Sequence, residues 1–226
     1  MKKRSKRYKG LMGLSPEKSP CSLAEAITIL KKSVNTKFDS SLDIHFYLNV
    51  DPKKAEQMVR GTVVLPHGTG KKVRIAVFVN GEQEEQARQA GADYVGGVDL
   101  IEKVSKGFLD FDRAIATPEM MKELSRLGKI LGPRGLMPSL KTGTVTDDVV
   151  SAIDQVRKGK VDFRIDKQKG IHLSIGKLSF SEDKLLDNAS VIIEAIKEAH
   201  PSTVKGRYIK SLFLGSTMSP ALRISF

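Results

Sequence analysis

Cysteine occurs once in these 226 residues, at Cys21, so the chain cannot close an internal disulfide or build a cysteine-rich zinc site. Histidine occurs only at His45, His67, His172 and His200, without a paired ligand spacing, so neither a structural metal nor a cofactor is expected. Long apolar runs are missing too. Stretches such as Ile75 to Val79 fall far short of the ~18 residues that a membrane-spanning helix needs, and the basic N-terminus leads into no apolar signal core. These absences predict an intracellular, cytoplasmic protein with no membrane partner. Acidic residues are absent before Glu17, but the segment is dense in lysine and reads as a retained basic arm rather than an organelle presequence.

What is present is an ordinary globular composition, 40% hydrophobic and 28% charged, with enough length for one large domain or two modest ones. The charge is less ordinary. Lys and Arg number 38 against 26 Asp and Glu, and the resulting +12 asks for a polyanionic partner.

Ser22 and Glu25 fit a capping box ahead of Ala26, Ile27, Leu30 and Val34, which predicts a helix over 22–35. From Leu42 to Val50 apolar and polar residues alternate, as in a half-buried strand. The style then changes: an apolar strand at 73–79, a helix at 82–90, an apolar strand at 114–116 and a helix opened by Pro118 predict a parallel, helix-covered sheet. Beyond Gly159 the alternation returns at 161–165 and 171–175, followed by a helix at 183–199 and strands near 208–214 and 220–226. The outer segments share an α+β style and the middle is α/β. The expectation is therefore a discontinuous outer domain, 1–67 plus 160–226, with 68–159 inserted as a second domain. Residues 1–67 carry 13 basic and 6 acidic groups, 68–159 carry 14 and 13, and 160–226 carry 11 and 7, so the outer domain holds nearly all of the net charge. Phosphate neutralisation supplies most nucleic-acid affinity, which makes that domain the expected RNA binder.

Met1 to Lys9 holds six basic residues and Tyr8, suited either to phosphate contacts that order on binding or to a solvated tail. His67 to Lys72 lacks the glycine and hydroxyl of a phosphate-binding loop, and Gly68, Gly70 and Gly159 are read instead as a hinge where the chain crosses between domains. The turn-forming run Gly132-Pro133-Arg134-Gly135-Leu136-Met137-Pro138 presents Arg134, with Lys129 and Lys141 nearby, as a possible second RNA or tRNA contact or as a structural loop. No nucleophile elbow, metal-helix motif or Cys-His pairing is present, and the middle domain has no GxGxxG. Lys37-Phe38, Arg164, Asp166 and Lys167, and Ser216 to Pro220 flank strands, where an aromatic ring and a thioether among Lys, Ser and Thr suit RNA sugars and bases. The alternative places Phe38 and Met218 in the core.

Five motifs in order, Lys37-Phe38-Asp39, Arg60 to Gly68, Ala92 to Gly97, the Gly132 to Pro138 run and Thr217-Met218, resemble the large-subunit ribosomal protein L-one family over essentially the whole chain. The resemblance implies a Rossmann-like inserted domain and a discontinuous domain gripping the stalk segment of large-subunit rRNA. It also implies a non-enzymatic, cytoplasmic protein, monomeric when free, that sits on the large ribosomal subunit, assists exit-site tRNA release and represses its own operon mRNA. The implied rRNA site is Lys37, Phe38, Arg164, Asp166, Lys167, Ser211, Thr217, Met218 and Ser219, with Ser219 standing where the family usually has glycine. A different class, an RNA-directed enzyme using the α/β domain, is disfavoured by the lack of an acid/base or metal constellation.

Overall fold

In a computed structural model, residues 5–13, 20–33, 36–81, 83–204 and 206–226 are described. The first half of the chain runs α1 (Lys6–Met12), α2 (Leu23–Lys32), β1 (Ser41–Leu48), β2 (Arg60–Val64), β3 (Ile75–Phe78), α3 (Gln83–Gln89), β4 (Tyr94–Gly96) and α4 (Val98–Ser105). It continues with β5 (Arg113–Ala116), α5 (Met121–Leu124), α6 (Gly128–Leu131), α7 (Val149–Arg157), β6 (Lys160–Arg164), β7 (Gly170–Lys177), α8 (Glu182–Glu198), β8 (Ile209–Ser216) and β9 (Leu222–Ile224). The chain divides into two compact units, Met1–Gly70 with Val161–Phe226, and Lys71–Lys160.

The first unit is built on a four-stranded antiparallel sheet in the order β7-β1-β8-β9, with β2 and β6 forming a separate pair. In β1 the period-two pattern sends Leu42, Ile44, Phe46 and Leu48 into the core. Helices α2 and α8 pack on that side of the sheet. The capping box forms at α2: Glu25 N–H donates to Ser22 Oγ at 3.3 Å and Ser22 N–H to Glu25 Oε2 at 3.0 Å. The helix stops at Lys32, short of the expected end at 35, where Ser33 Oγ donates to the Leu30 carbonyl at 2.7 Å; Val34 and Asn35 lie outside the described residues. Helix α8 opens with Glu182 and Asp183 against the positive end of its dipole and buries Leu185, Ala189, Ile192 and Ile196.

Asn188 of α8 is fully buried and fully used. Its Oδ1 accepts from His67 N–H at 3.2 Å, and its Nδ2 donates to the carbonyls of Gly68 at 2.9 Å and Ile175 at 2.8 Å. One amide thus ties the 67–68 backbone to helix and sheet, which offsets the cost of burying it.

The second unit carries a three-stranded parallel sheet, β4-β3-β5. All four residues of β3 are buried because alternate ones enter opposite cores. Ala76 and Phe78 meet α4 and α5 residues such as Leu100, Val104 and Leu124, whereas Ile75 and Val77 meet Ala87 of α3 and Ile153 and Val156 of α7.

Several expectations are corrected. Part of the basic arm is a helix, not an open tail: Ser5 Oγ caps α1 by accepting from Tyr8 N–H at 3.3 Å, and Leu11 is buried. Met1 to Arg4 lie outside the described residues. The helix expected from Pro118 breaks into α5, a 3-10 turn at Ser125–Leu127, and α6, with Gly128 and Gly132 at the breaks. Strands β2 and β4 and helices α4 and α7 were not anticipated.

Candidate nucleic-acid interface

Both helices on the four-stranded sheet cover one face, and the register shows what the other presents. Across the sheet, His172, His45, Phe213 and Arg223 align in one row, and Gly170, Tyr47 and Ser211 in the next. Tyr47, His172 and Arg223 are exposed, and Lys210 Nζ lies 5.6 Å from the centre of the Tyr47 ring. Rings, hydroxyls and cations on the sheet face away from the helices are the chemistry that stacks bases and reaches sugar and phosphate oxygens.

At one end, β8 is stitched to the start of β1. Ser41 N–H donates to Thr217 Oγ1 at 3.1 Å, and Thr217 N–H donates to the Ser41 carbonyl at 3.1 Å. Thr36 Oγ1 donates to the Phe38 carbonyl at 2.8 Å and contacts Ser40 Oγ at 3.0 Å, so the backbone around Phe38 is held while its side chain is not. Lys37 and Thr217 are exposed, and Phe38 and Met218 expose 52% and 43% of their surface. Phe38 and Met218 are therefore not core residues, and the Ser41–Thr217 pairing sets the segments that carry the four side chains at the same end of β1 and β8. Ser219 lacks the left-handed backbone that would demand glycine. Its Oγ accepts from Ser216 N–H at 2.9 Å and donates to the Pro220 carbonyl at 3.1 Å, so the hydroxyl is spent inside the turn.

About 20 Å along β1, at the strand's usual rise, lies the other end. Asp166 Oδ1 accepts from Gln168 N–H at 2.8 Å and Gly170 N–H at 2.6 Å, and Oδ2 lies 3.4 Å from His172 Nε2. The Gly170 amide above all, with the Gln168 amide and His172, holds the Asp166 carboxyl below the ordinary carboxylate range. Asp166 is thus the organiser of the β6–β7 turn, while Arg164 and Lys167 stand exposed on either side of it and Ser211 is half-buried on β8.

His172 continues the line to His45, their Nδ1 atoms 2.9 Å apart. That contact is a hydrogen bond only when one nitrogen carries the proton and the other does not. Burial first, and then His172, pushes His45 below the ordinary imidazole range, with Asp43 opposing. This carboxylate–imidazole–imidazole line opens to solvent at His172, whose side chain is 58% exposed, and among the described residues no serine or cysteine bonds to either ring. It orders the open face without assembling a nucleophile. The two histidines lie 127 residues apart, so no local spacing in the sequence pairs them. Alternation at 42–50 and 171–175 was the signal that both could face outward.

The remaining candidates lie elsewhere. In the second unit Lys129 is exposed on α6, Arg134 is exposed in the turn closed by Leu136 N–H to the Leu131 carbonyl at 3.0 Å, and Lys141 is exposed in a 3-10 turn. Gly68, Gly70 and Gly159 have φ of 64°, 70° and 102°. That left-handed backbone by itself favours glycine at each.

The chain matches the model of the ribosomal protein L1p/L10e family over residues 30–220. It is 50% identical to large ribosomal subunit protein uL1 of Thermobifida fusca (strain YX), over 98% of this chain and 94% of that one. The protein of the same name from Phytoplasma australiense is 50% identical over 98% and 97% of the two chains, and that from Fervidobacterium nodosum 48% over 99% and 96%.

Proposed function

The chain belongs to the ribosomal protein L1p/L10e family, and from that premise we propose that it binds the stalk segment of large-subunit rRNA through the open sheet face of its first unit. It acts as a structural component of the large ribosomal subunit, without catalysing a reaction, in the cytoplasm where the ribosome works. The observation that carries the site is the uncovered β7-β1-β8-β9 face, flanked by Lys37, Phe38, Thr217 and Met218 at one end and by Arg164, Asp166, Lys167 and Ser211 toward the other. In this reading the ring of Phe38 stacks, the cations meet phosphates, and Asp166 positions the turn that carries Lys167.

The same surface serves a messenger segment shaped like the rRNA site, giving repression of the protein's own operon. The second unit, near neutral, meets exit-site tRNA through Lys129, Arg134 and Lys141, and Gly68, Gly70 and Gly159 allow it to swing as the tRNA leaves. Copurification with large subunits at one copy each, lost in a Phe38→Ala/Thr217→Ala double variant that still melts normally, tests the reading. Retention of that variant on the subunit would refute it.

A further inference from the structure

Lys169 is the single non-glycine position among the described residues with left-handed backbone, at φ 70°. A lysine there is strained, since the β-carbon crowds the backbone and glycine would not. Its surroundings force the conformation. The Lys169 N–H donates to the Asp166 carbonyl at 3.3 Å, its carbonyl accepts from Leu48 N–H of β1 at 2.9 Å, and both neighbours' amides are taken by Asp166 Oδ1. A strained residue kept where glycine would be easier points to the side chain as the reason.

That side chain lines an open groove with Lys53, Lys167, Asp51 and Pro52. Asp51 does not neutralise the lysines: its Oδ1 accepts from Lys53 N–H at 3.1 Å as a turn cap. Among the described residues no carboxylate forms an ion pair with any of the three ammonium groups. The groove adjoins the open face directly, because Gly170 pairs with Tyr47 and Tyr47 with Ser211 in register.

We propose that Lys53, Lys167 and Lys169 form a phosphate-binding groove that takes the RNA backbone as it leaves the sheet face, and that the strain at Lys169 is retained for this contact. The inference rests on the rRNA-binding reading above and extends it to Lys53 and Lys169. Three ammonium groups at the end of a stacking surface fit successive phosphodiesters rather than bases, so the groove adds affinity and salt dependence without sequence preference.

The test uses the full chain and a stalk-segment rRNA fragment, with filter binding across a salt series and thermal melting of each variant. Lys169→Gly should melt higher, by a few degrees, because it relieves the strain. It should nevertheless bind roughly threefold to tenfold more weakly, with the log–log salt slope smaller by about one. Lys169→Asn, which tolerates left-handed backbone without the charge, should lose as much affinity, and Lys169→Arg should keep it. A Lys169→Gly protein that melts higher and binds with unchanged affinity and slope overturns the groove, while continued sensitivity to Phe38→Ala leaves the sheet-face reading standing. Failure of the wild-type chain to bind the fragment overturns both.

Discussion

Phe38 holds half its surface in water although its neighbours Thr36 and Ser40 fix the backbone on either side, so little stability depends on the ring. Phe38→Ala should weaken rRNA binding by about 1–3 kcal/mol while leaving the melting temperature nearly unchanged, as filter binding and calorimetry would show. Equal losses of affinity and melting temperature would return the ring to the core. Tyr208 gives the opposite test: its hydroxyl is buried without a hydrogen-bond partner among the described residues, and burial pushes its pKa up to about 12. Tyr208→Phe removes an unsatisfied group and should raise stability in denaturant by about 1 kcal/mol. His45 carries a pH dependence. Its folded pKa is lowered from 6.5, so below about that pH the unfolded chain takes a proton that the folded one resists, and stability falls on acidification. Denaturant melts between about pH 7.5 and 5 should show that slope, and His45→Gln should flatten it. Phe38 and Thr217 were legible as motif residues. Tyr47, Phe213 and the histidine pair were not legible as a group, because alternation assigns a residue to one face of its own strand without giving the register that sets His45 beside His172 and Phe213, or Tyr47 beside Ser211.

Elements were legible where one signal was strong. The Ser22 capping box and the alternation of β1 were read directly, and the long amphipathic α8 to within a residue at each end. Strand β2 escaped because its burial does not alternate cleanly and its partner is β6 alone. What fixes that pair is packing: a β-carbon at Gly61 would come within 2.6 Å of Phe163 Cζ. Helices α4 and α7 carry their signal locally, in Leu100, Ile101 and Val104 of α4 and in the Asp148 cap with Val149, Ala152, Ile153 and Val156 of α7, but each spans little more than two turns, too short for the apolar spacing to stand out from its flanking loops. The tie between α8 and the 67–68 segment gives a prediction at this scale. Asn188→Ala strands the His67 amide and the Gly68 and Ile175 carbonyls, and should cost about 2–4 kcal/mol in chemical denaturation. A loss under about 0.5 kcal/mol would mean that water replaces the amide easily.

For the whole molecule, the mixed α/β class was readable from the switch between period-two alternation and buried apolar runs, and charge arithmetic already placed the positive excess in the outer segments. What no sequence count could give is that Lys37, Arg164, Lys167, Lys210 and Arg223 lie on or beside an uncovered sheet face with an ordered turn at one end. The central claim is that this face carries rRNA recognition and that the second unit adds little to it. The most direct test measures binding of a stalk-segment rRNA fragment across a salt series for three full-length chains: wild type, Phe38→Ala/Lys167→Ala, and Lys129→Ala/Arg134→Ala/Lys141→Ala. The account predicts that the first-unit double variant loses at least about tenfold in affinity and about one in salt slope, while the second-unit triple variant stays within about twofold at an unchanged slope. A triple variant that loses as much as the double one would contradict it.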